Sequence, residues 1–143
     1  MGDKDETLKA LDWRDRVDLA RNTNTTAKIL EILATDDGWL IRYMVAKNPN
    51  TLAEALDRLA TDEDWRVRVT VAENPSTPAN VLTKISRDRS KNVRLAVASN
   101  KNSPVEALER LAKDKSKDVR DAVKLNPSVP EHVKVFLALE PAK

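Results

Sequence analysis

Five arginines, Arg16, Arg42, Arg68, Arg94 and Arg120, stand 26 residues apart. Asp36, Asp62, Asp88 and Asp114 keep the same step, each six residues before the next arginine. A guanidinium fork can bridge a carboxylate and loop carbonyls, so such a pairing can tie one segment of chain to its neighbour. It could also hold an anion. The structural use is the stronger reading, because a stack of repeats needs one cohesive contact renewed at every step. Asn22, Asn48, Asn74, Asn100 and Asn126 form a third column at that step. An asparagine side chain offers both donor and acceptor, which suits the loop backbone groups left where a helix ends. Five in register read as structural glue rather than as catalysis.

Two further sets could form a binding surface. Trp13, Trp39 and Trp65 keep the 26-residue step and are continued by Lys91 and Lys117. Val17, Tyr43 and Val69 lie four residues on and share the same helical face. Packing between repeats, with an indole edge left in water, is the favoured reading. The alternative is an aromatic ridge for a peptide or for stacked bases. The second set is basic: Arg87, Arg89 and Lys91 in one loop, Lys113, Lys115 and Lys117 in the next. Residues 1–63 carry 9 Lys+Arg against 13 Asp+Glu, a net of −4, whereas residues 64–143 carry 16 against 10, a net of +6. An ordinary solvated edge is the plainer reading, since Asp88 and Asp114 interrupt the runs. Phosphates or an acidic protein surface are the sharper one.

Most catalytic chemistry has no residues to carry it. His132 is the single histidine and there is no cysteine, so His-based triads, thiolate metal sites and thiol catalysis are excluded. Two glycines make no phosphate loop. The acids fall at caps and exposed positions, with no pattern for a paired, desolvated carboxylate site. No catalytic residue, cofactor or metal is therefore expected. The charged start has no apolar core of a secretory signal, and no apolar run approaches the length of a membrane span. The cytoplasm is the expected location. The net charge of +2 points to no partner by itself, and a monomer is favoured.

The columns require elements to position them. Asp12, Gly38, Asp64, Ser90 and Ser116 are N-cap types, each heading a first helix that Asn22, Asn48, Asn74, Asn100 or Asn126 ends. In three copies a proline follows the asparagine and pushes it out of the α region. Thr25, Thr51, Thr77 and Ser103 then read as N-caps of a second helix, with Pro78, Pro104 and Pro130 at its first position. Thr51 with Glu54 and Ser103 with Glu106 have capping-box spacing. Val67 and Val71, then Val81, Leu82 and Ile85, supply the buried faces of the third copy. Such short helices are not stable alone, so the copies must stack. Asp15, in a column otherwise Ile or Val, and Lys117, Asp121 and Lys124, replacing Trp, Val and Ala, mark the polar outer faces of the end copies. Val135, Phe136 and Leu139 are expected to close the core at the end, or else to form a dimer contact.

The pattern Val67-Arg68-x-x-Val71-Ala72-x-Asn74-Pro75-x-Thr77-Pro78-x-x-x-Leu82-x-x-Ile85, ending at Asp88, resembles the leucine-rich repeat variant unit, near the HEAT-like repeats. Ile41-Arg42-x-x-Val45-Ala46-x-Asn48-Pro49-x-Thr51 matches it as closely. The resemblance implies an all-α, right-handed α-solenoid of five two-helix repeats in a single domain, 1–143. The repeats would span about 12–37, 38–63, 64–89, 90–115 and 116–141, with 1–11 as an N-terminal cap. It leaves one element of each repeat open to 3₁₀ geometry. It further implies a non-catalytic protein-interaction scaffold. Nucleic-acid binding through the basic loops is the alternative. A more remote one is a glycosylase of the HEAT-like kind that uses Trp and Asp on a concave face. An iron–sulfur cluster found in one member type needs cysteines that this chain lacks.

Overall fold

A computed structural model describes residues 2–140, and among them every regular element is an α-helix. The last residue of the fifth expected repeat, 141, and Met1 lie outside the described residues. The helices are α1 (Gly2–Ala10), α2 (Trp13–Arg21), α3 (Ala27–Leu33), α4 (Trp39–Lys47), α5 (Ala53–Leu59), α6 (Trp65–Glu73), α7 (Ala79–Ile85), α8 (Lys91–Ser99), α9 (Val105–Leu111), α10 (Lys117–Leu125) and α11 (Glu131–Leu139). From α2 onward a 9-residue helix alternates with a 7-residue one, and the last is again 9 residues long. First helices begin at 13, 39, 65, 91 and 117, second helices at 27, 53, 79, 105 and 131, so both keep the 26-residue step. The two-helix repeat is thus present in every copy, and both of its elements are α. Bonds of the i→i+3 kind close helix ends and turns, as after the second helices, where Asp36 N–H donates to Leu33 O (3.1 Å) and Asp62 N–H to Leu59 O (3.1 Å).

The chain falls into two compact units, Met1–Ser76 and Thr77–Lys143. In the first, α2 packs on α4 and α4 on α6, while α3 and α5 lie against these first helices. Ile41, Val45 and Ala46 on α4 meet no solvent, and neither do Leu30 on α3, Leu56 on α5, or Val67 and Val71 on α6. Each buried Val, Leu or Ile stabilises the stack by about 1.5–3 kcal/mol. Ala20, Ala46 and Ala72 are also fully buried. Their small side chains fit where one first helix approaches the next. Asp15 is exposed where Ile41 and Val67 of the following copies are buried, as an outermost copy requires.

In the second unit α8 packs on α10, with α7, α9 and α11 beside them. Its core is Val81, Leu82 and Ile85, then Val93 and Val97, Leu108 and Leu111, Val119 and Val123, and finally Val133 and Leu137. Lys124 is exposed in the column where Ala98 is fully buried. The expectation that Val135, Phe136 and Leu139 close the core is corrected. They are 50%, 37% and 80% exposed. Val133 and Leu137, four residues apart, form the buried face of α11, and the other three side chains point off it.

The caps show a one-residue shift. Asp12, Gly38, Asp64, Ser90 and Ser116 cap the first helices, and the asparagines end them, as expected. The second helices, however, are capped by Thr26, Leu52, Pro78, Pro104 and Pro130. Pro78 has extended backbone (φ −62°, ψ 152°), so it precedes the helix rather than opening it. The buried Thr25, Thr51 and Ser103 hydroxyls donate backward, to Leu19 O, Val45 O and Val97 O, each at 2.6 Å. They add a donor to carbonyls in the last turn of the preceding helix, where Val45 O and Val97 O also accept the Asn48 and Asn100 N–H, so no capping box forms.

Candidate interaction surface

The regular polar columns are consumed inside the fold. Arg42 donates from Nε to Asp62 Oδ2 (2.7 Å), from Nη2 to Asp62 Oδ1 (3.2 Å) and from Nη1 to Asp36 O (2.7 Å) and Asp37 O (3.1 Å). The carboxylate it grips therefore lies 20 residues ahead, while the aspartate six residues back contributes its main-chain carbonyl. The hydrogen bond to Asp62, with the carboxylate's charge, raises the Arg42 pKa above its ordinary value. Arg16 repeats the pattern with Asp36 (2.9 Å) and Leu11 O (2.6 Å), and Arg94 with Asp114 (2.8 Å) and Asp88 O (2.9 Å). Arg120 donates to Asp114 O (2.6 Å) and meets Glu140 at 3.5 Å, a glutamate that continues the aspartate column. Each carboxylate also accepts the N–H two residues on, as Asp62 does from Asp64 (2.9 Å).

The asparagines close the other end of each first helix. Asn48 Nδ2 donates to Ala20 O and Asn22 O, both at 2.9 Å, and its Oδ1 accepts from Asn50 N–H (2.9 Å). Asn126 does the same with Ala98 O (2.7 Å), Asn100 O (2.9 Å) and Ser128 N–H (2.8 Å). In the second copy Pro49 stands at the second position of the turn closed by Thr51 N–H to Asn48 O (3.2 Å), where its fixed φ is favourable.

The tryptophans remain at the surface of the first unit. Trp13, Trp39 and Trp65 open α2, α4 and α6 and are 47%, 38% and 46% exposed. Trp39 meets Tyr43 edge-on, with centroids 6.2 Å apart and planes at 70°. The Arg66 guanidinium carbon stands 3.5 Å from the Trp39 ring centroid. Arg66 is also held by Asp64, through Nε (3.0 Å) and Nη2 (2.7 Å). That hydrogen bond raises the Arg66 pKa and lowers that of Asp64. The stacking of Arg66 is the contact that sequence reasoning missed. Its signal was the 27-residue spacing from Trp39, one repeat plus one position. A cleft in this unit, lined by Leu8, Arg16, Ile32 and Asp36 among others, is lined by none of the tryptophans.

Asp36 and Asp62, the sheltered carboxylates of this region (side chains 9% and 7% exposed), are each committed to an arginine and a backbone N–H. The pairing of a tryptophan with an open, desolvated aspartate that a base-excision site needs is not what they form.

All six basic loop residues of the second unit are exposed. Lys91 pairs with Asp118 (3.2 Å) and Lys117 with Asp121 (2.7 Å), whose pKa that hydrogen bond lowers. Lys113 lies 5.7 Å from the Phe136 ring centroid. Arg87, Arg89 and Lys115 have no side-chain ion pair among the described residues. His132 sits on the exposed side of α11 with Glu109 (2.7 Å). Among the described residues no helix is long and apolar enough to cross a membrane.

No curated protein and no solved structure matches the chain. Residues 92–116 match the model of the family described as leucine rich repeat variant. That span runs from the first turn of α8 to the residue before α10, one residue short of a full 26-residue period of the helix pair. The matched segment is of a HEAT-like helical repeat kind, and the same helix pair recurs from α2 to α11.

Proposed function

We propose that the chain is a non-catalytic, cytoplasmic protein-interaction module whose partner docks on the tryptophan edge of the first unit. One observation carries this reading. The recurring Arg, Asp and Asn side chains are turned inward on backbone and on each other, whereas Trp13, Trp39 and Trp65 are left half-exposed in register. Exposed aromatic anchors beside an arginine are the side chains that dominate binding energy at protein interfaces. Around them, Arg14, Leu40 and Arg66 occupy one variable column and would supply specificity. The lack of cysteine and the typically non-catalytic character of such repeats support the rest of the reading.

A photo-crosslinking residue at position 14, exposed to a lysate of the source cell, tests the proposal. Discrete protein adducts are expected, and they should disappear when Trp13 and Trp65 are both changed to Ala. Adducts that persist in that variant, or none at all, would overturn it. A control crosslinker at Lys101, in the second unit, should give no Trp-dependent adducts.

Nucleic-acid binding is a second reading, favoured by the exposed and unpaired Arg87, Arg89 and Lys115. Against it, Lys91 and Lys117 are already committed to carboxylates. Retention of DNA or RNA in a low-salt gel shift, lost on changing those three residues to Ser, would establish it. No retention would remove it.

A further inference from the structure

We infer that the ligand of the tryptophan edge is an arginine-rich segment of the partner protein. This rests on the docking reading above and adds the chemistry of what docks.

The edge already takes one guanidinium. Arg66 lies 3.5 Å above the Trp39 ring, with its fork on the Asp64 carboxylate. The arrangement is an aromatic face from one repeat and an acid from the loop that opens the next. Half of it is repeated one step earlier. The loop 36–38 runs along Trp13, close enough that a Cβ on Gly38 would stand 3.8 Å from the indole Nε1. That loop bears Asp37, exposed and without an ion-pair partner among the described residues. The column that puts Arg66 on Trp39 puts Leu40 after Trp13, so this column brings no cation to the first ring. Trp13 is 47% exposed. Gly38 holds the column of Asp64, so an incoming arginine that stacks there would take Asp37, one position earlier in the same loop, as its carboxylate.

Charge supports the same ligand. Residues 1–76 carry 11 Lys+Arg against 15 Asp+Glu, a net of −4, and the side chain of Glu63, two residues before Trp65, is 92% exposed and lies 3.9 Å from Arg42. Acidic loops and open aromatic faces together select a cation over an anion. Guanidinium is preferred to ammonium, because it is planar, weakly hydrated and stacks on aromatic faces. The same columns in the second unit are Arg89, Lys91, Lys115 and Lys117. The recognition therefore belongs to the first unit and is not a general property of the repeat.

The three tryptophans are the only ones in the chain and all stand on this edge, so intrinsic fluorescence reports on it directly. The full chain is titrated with octa-arginine, octa-lysine and octa-glutamate at low salt, with calorimetry for the variants. Octa-arginine should shift or quench the emission and bind at least several-fold more tightly than octa-lysine, and octa-glutamate should do nothing. Trp13→Ala should weaken octa-arginine by about fivefold, as loss of one cation–π contact predicts. Asp37→Asn leaves the ring in place and should weaken it by about two- to threefold. Both positions are exposed, and circular dichroism should show unchanged melting. Three results would overturn the inference: no response to octa-arginine, equal affinity for octa-lysine with no effect of Trp13→Ala, or emission that tracks only the protein's own concentration as a second copy covers the edge. If crosslinked adducts at position 14 depend on the tryptophans yet octa-arginine cannot displace them, the docking reading stands and this inference falls.

Discussion

At the scale of single residues, the arginine column does the most demanding work. The Arg42 and Asp62 side chains are only 11% and 7% exposed, and four hydrogen bonds hold the guanidinium between two loops. Removing the arginine leaves the sheltered Asp62 charge without its counter-ion and two carbonyls without their Arg42 donor. Arg42→Ala should therefore cost about 3 kcal/mol in chemical denaturation, and Arg42→Lys nearly as much, since an ammonium cannot serve carboxylate and carbonyls together. Acid should also weaken the fold through residues that need no burial. Asp64 and Asp121 have pKa values lowered below the ordinary 3.8 by hydrogen bonds from Arg66 and Lys117. A carboxyl group with a lowered folded-state pKa contributes stability above its unfolded value and loses it as pH falls through the folded one. The raised pKa of Arg42 acts on the opposite side, and its contribution is intact at every pH well below the ordinary arginine range. The melting midpoint should stay level across neutral pH and fall below about pH 4. Asp64→Asn with Asp121→Asn should make that acid limb shallower.

At the scale of the helix, the order of caps decides which hydroxyls matter. Thr51 was expected to cap α5 with Glu54 as its reciprocal partner, but its hydroxyl turns back to Val45 O at the end of α4. The sequence pattern of a capping box and that of a helix–turn–helix hydroxyl clamp differ by one residue in register, and only the backbone path separates them. Thr51→Val should lower stability by about 1 kcal/mol, by removing a buried hydrogen bond to Val45 O and leaving that carbonyl only the Asn48 N–H. Glu54→Ala should stay within about 0.5 kcal/mol. Urea midpoints of the two variants check the pair. The reverse result, a costly Glu54→Ala and a silent Thr51→Val, would restore the capping box. The asparagine caps were legible, in three copies because Asn-Pro stops a helix by local sterics whatever surrounds it, and at Asn22 and Asn100 from the 26-residue column alone.

At the scale of the whole molecule, the repeat makes length adjustable in units of 26 residues. Asn48 and Asn126 reach the backbone of their own column one period back and each paired arginine an aspartate of the next loop, so excising residues 38–63 returns every column to register. That deletion variant should fold to a helical, cooperatively melting protein with a lower midpoint. Deleting 13 residues, 51–63, places a first helix directly after another and should give no cooperative transition. Circular dichroism melting of the two distinguishes them. The division of charge, −4 for residues 1–76 against +6 for 77–143, follows the same columns. The scaffold repeats, while the loop residues that face water vary from one copy to the next.

The sequence alone determined the repeat, its period, the helix pair within it and the three columns that bind it together. Those features depend on spacing along the chain and on local backbone preference, and both are written in residue order. Whether the tryptophans are covered, which carboxylate each arginine grips, where each hydroxyl turns and which face of α11 is left bare were decided by tertiary structure. Each depends on distances between groups on different helices and turns, distances that exist only once the helices have stacked.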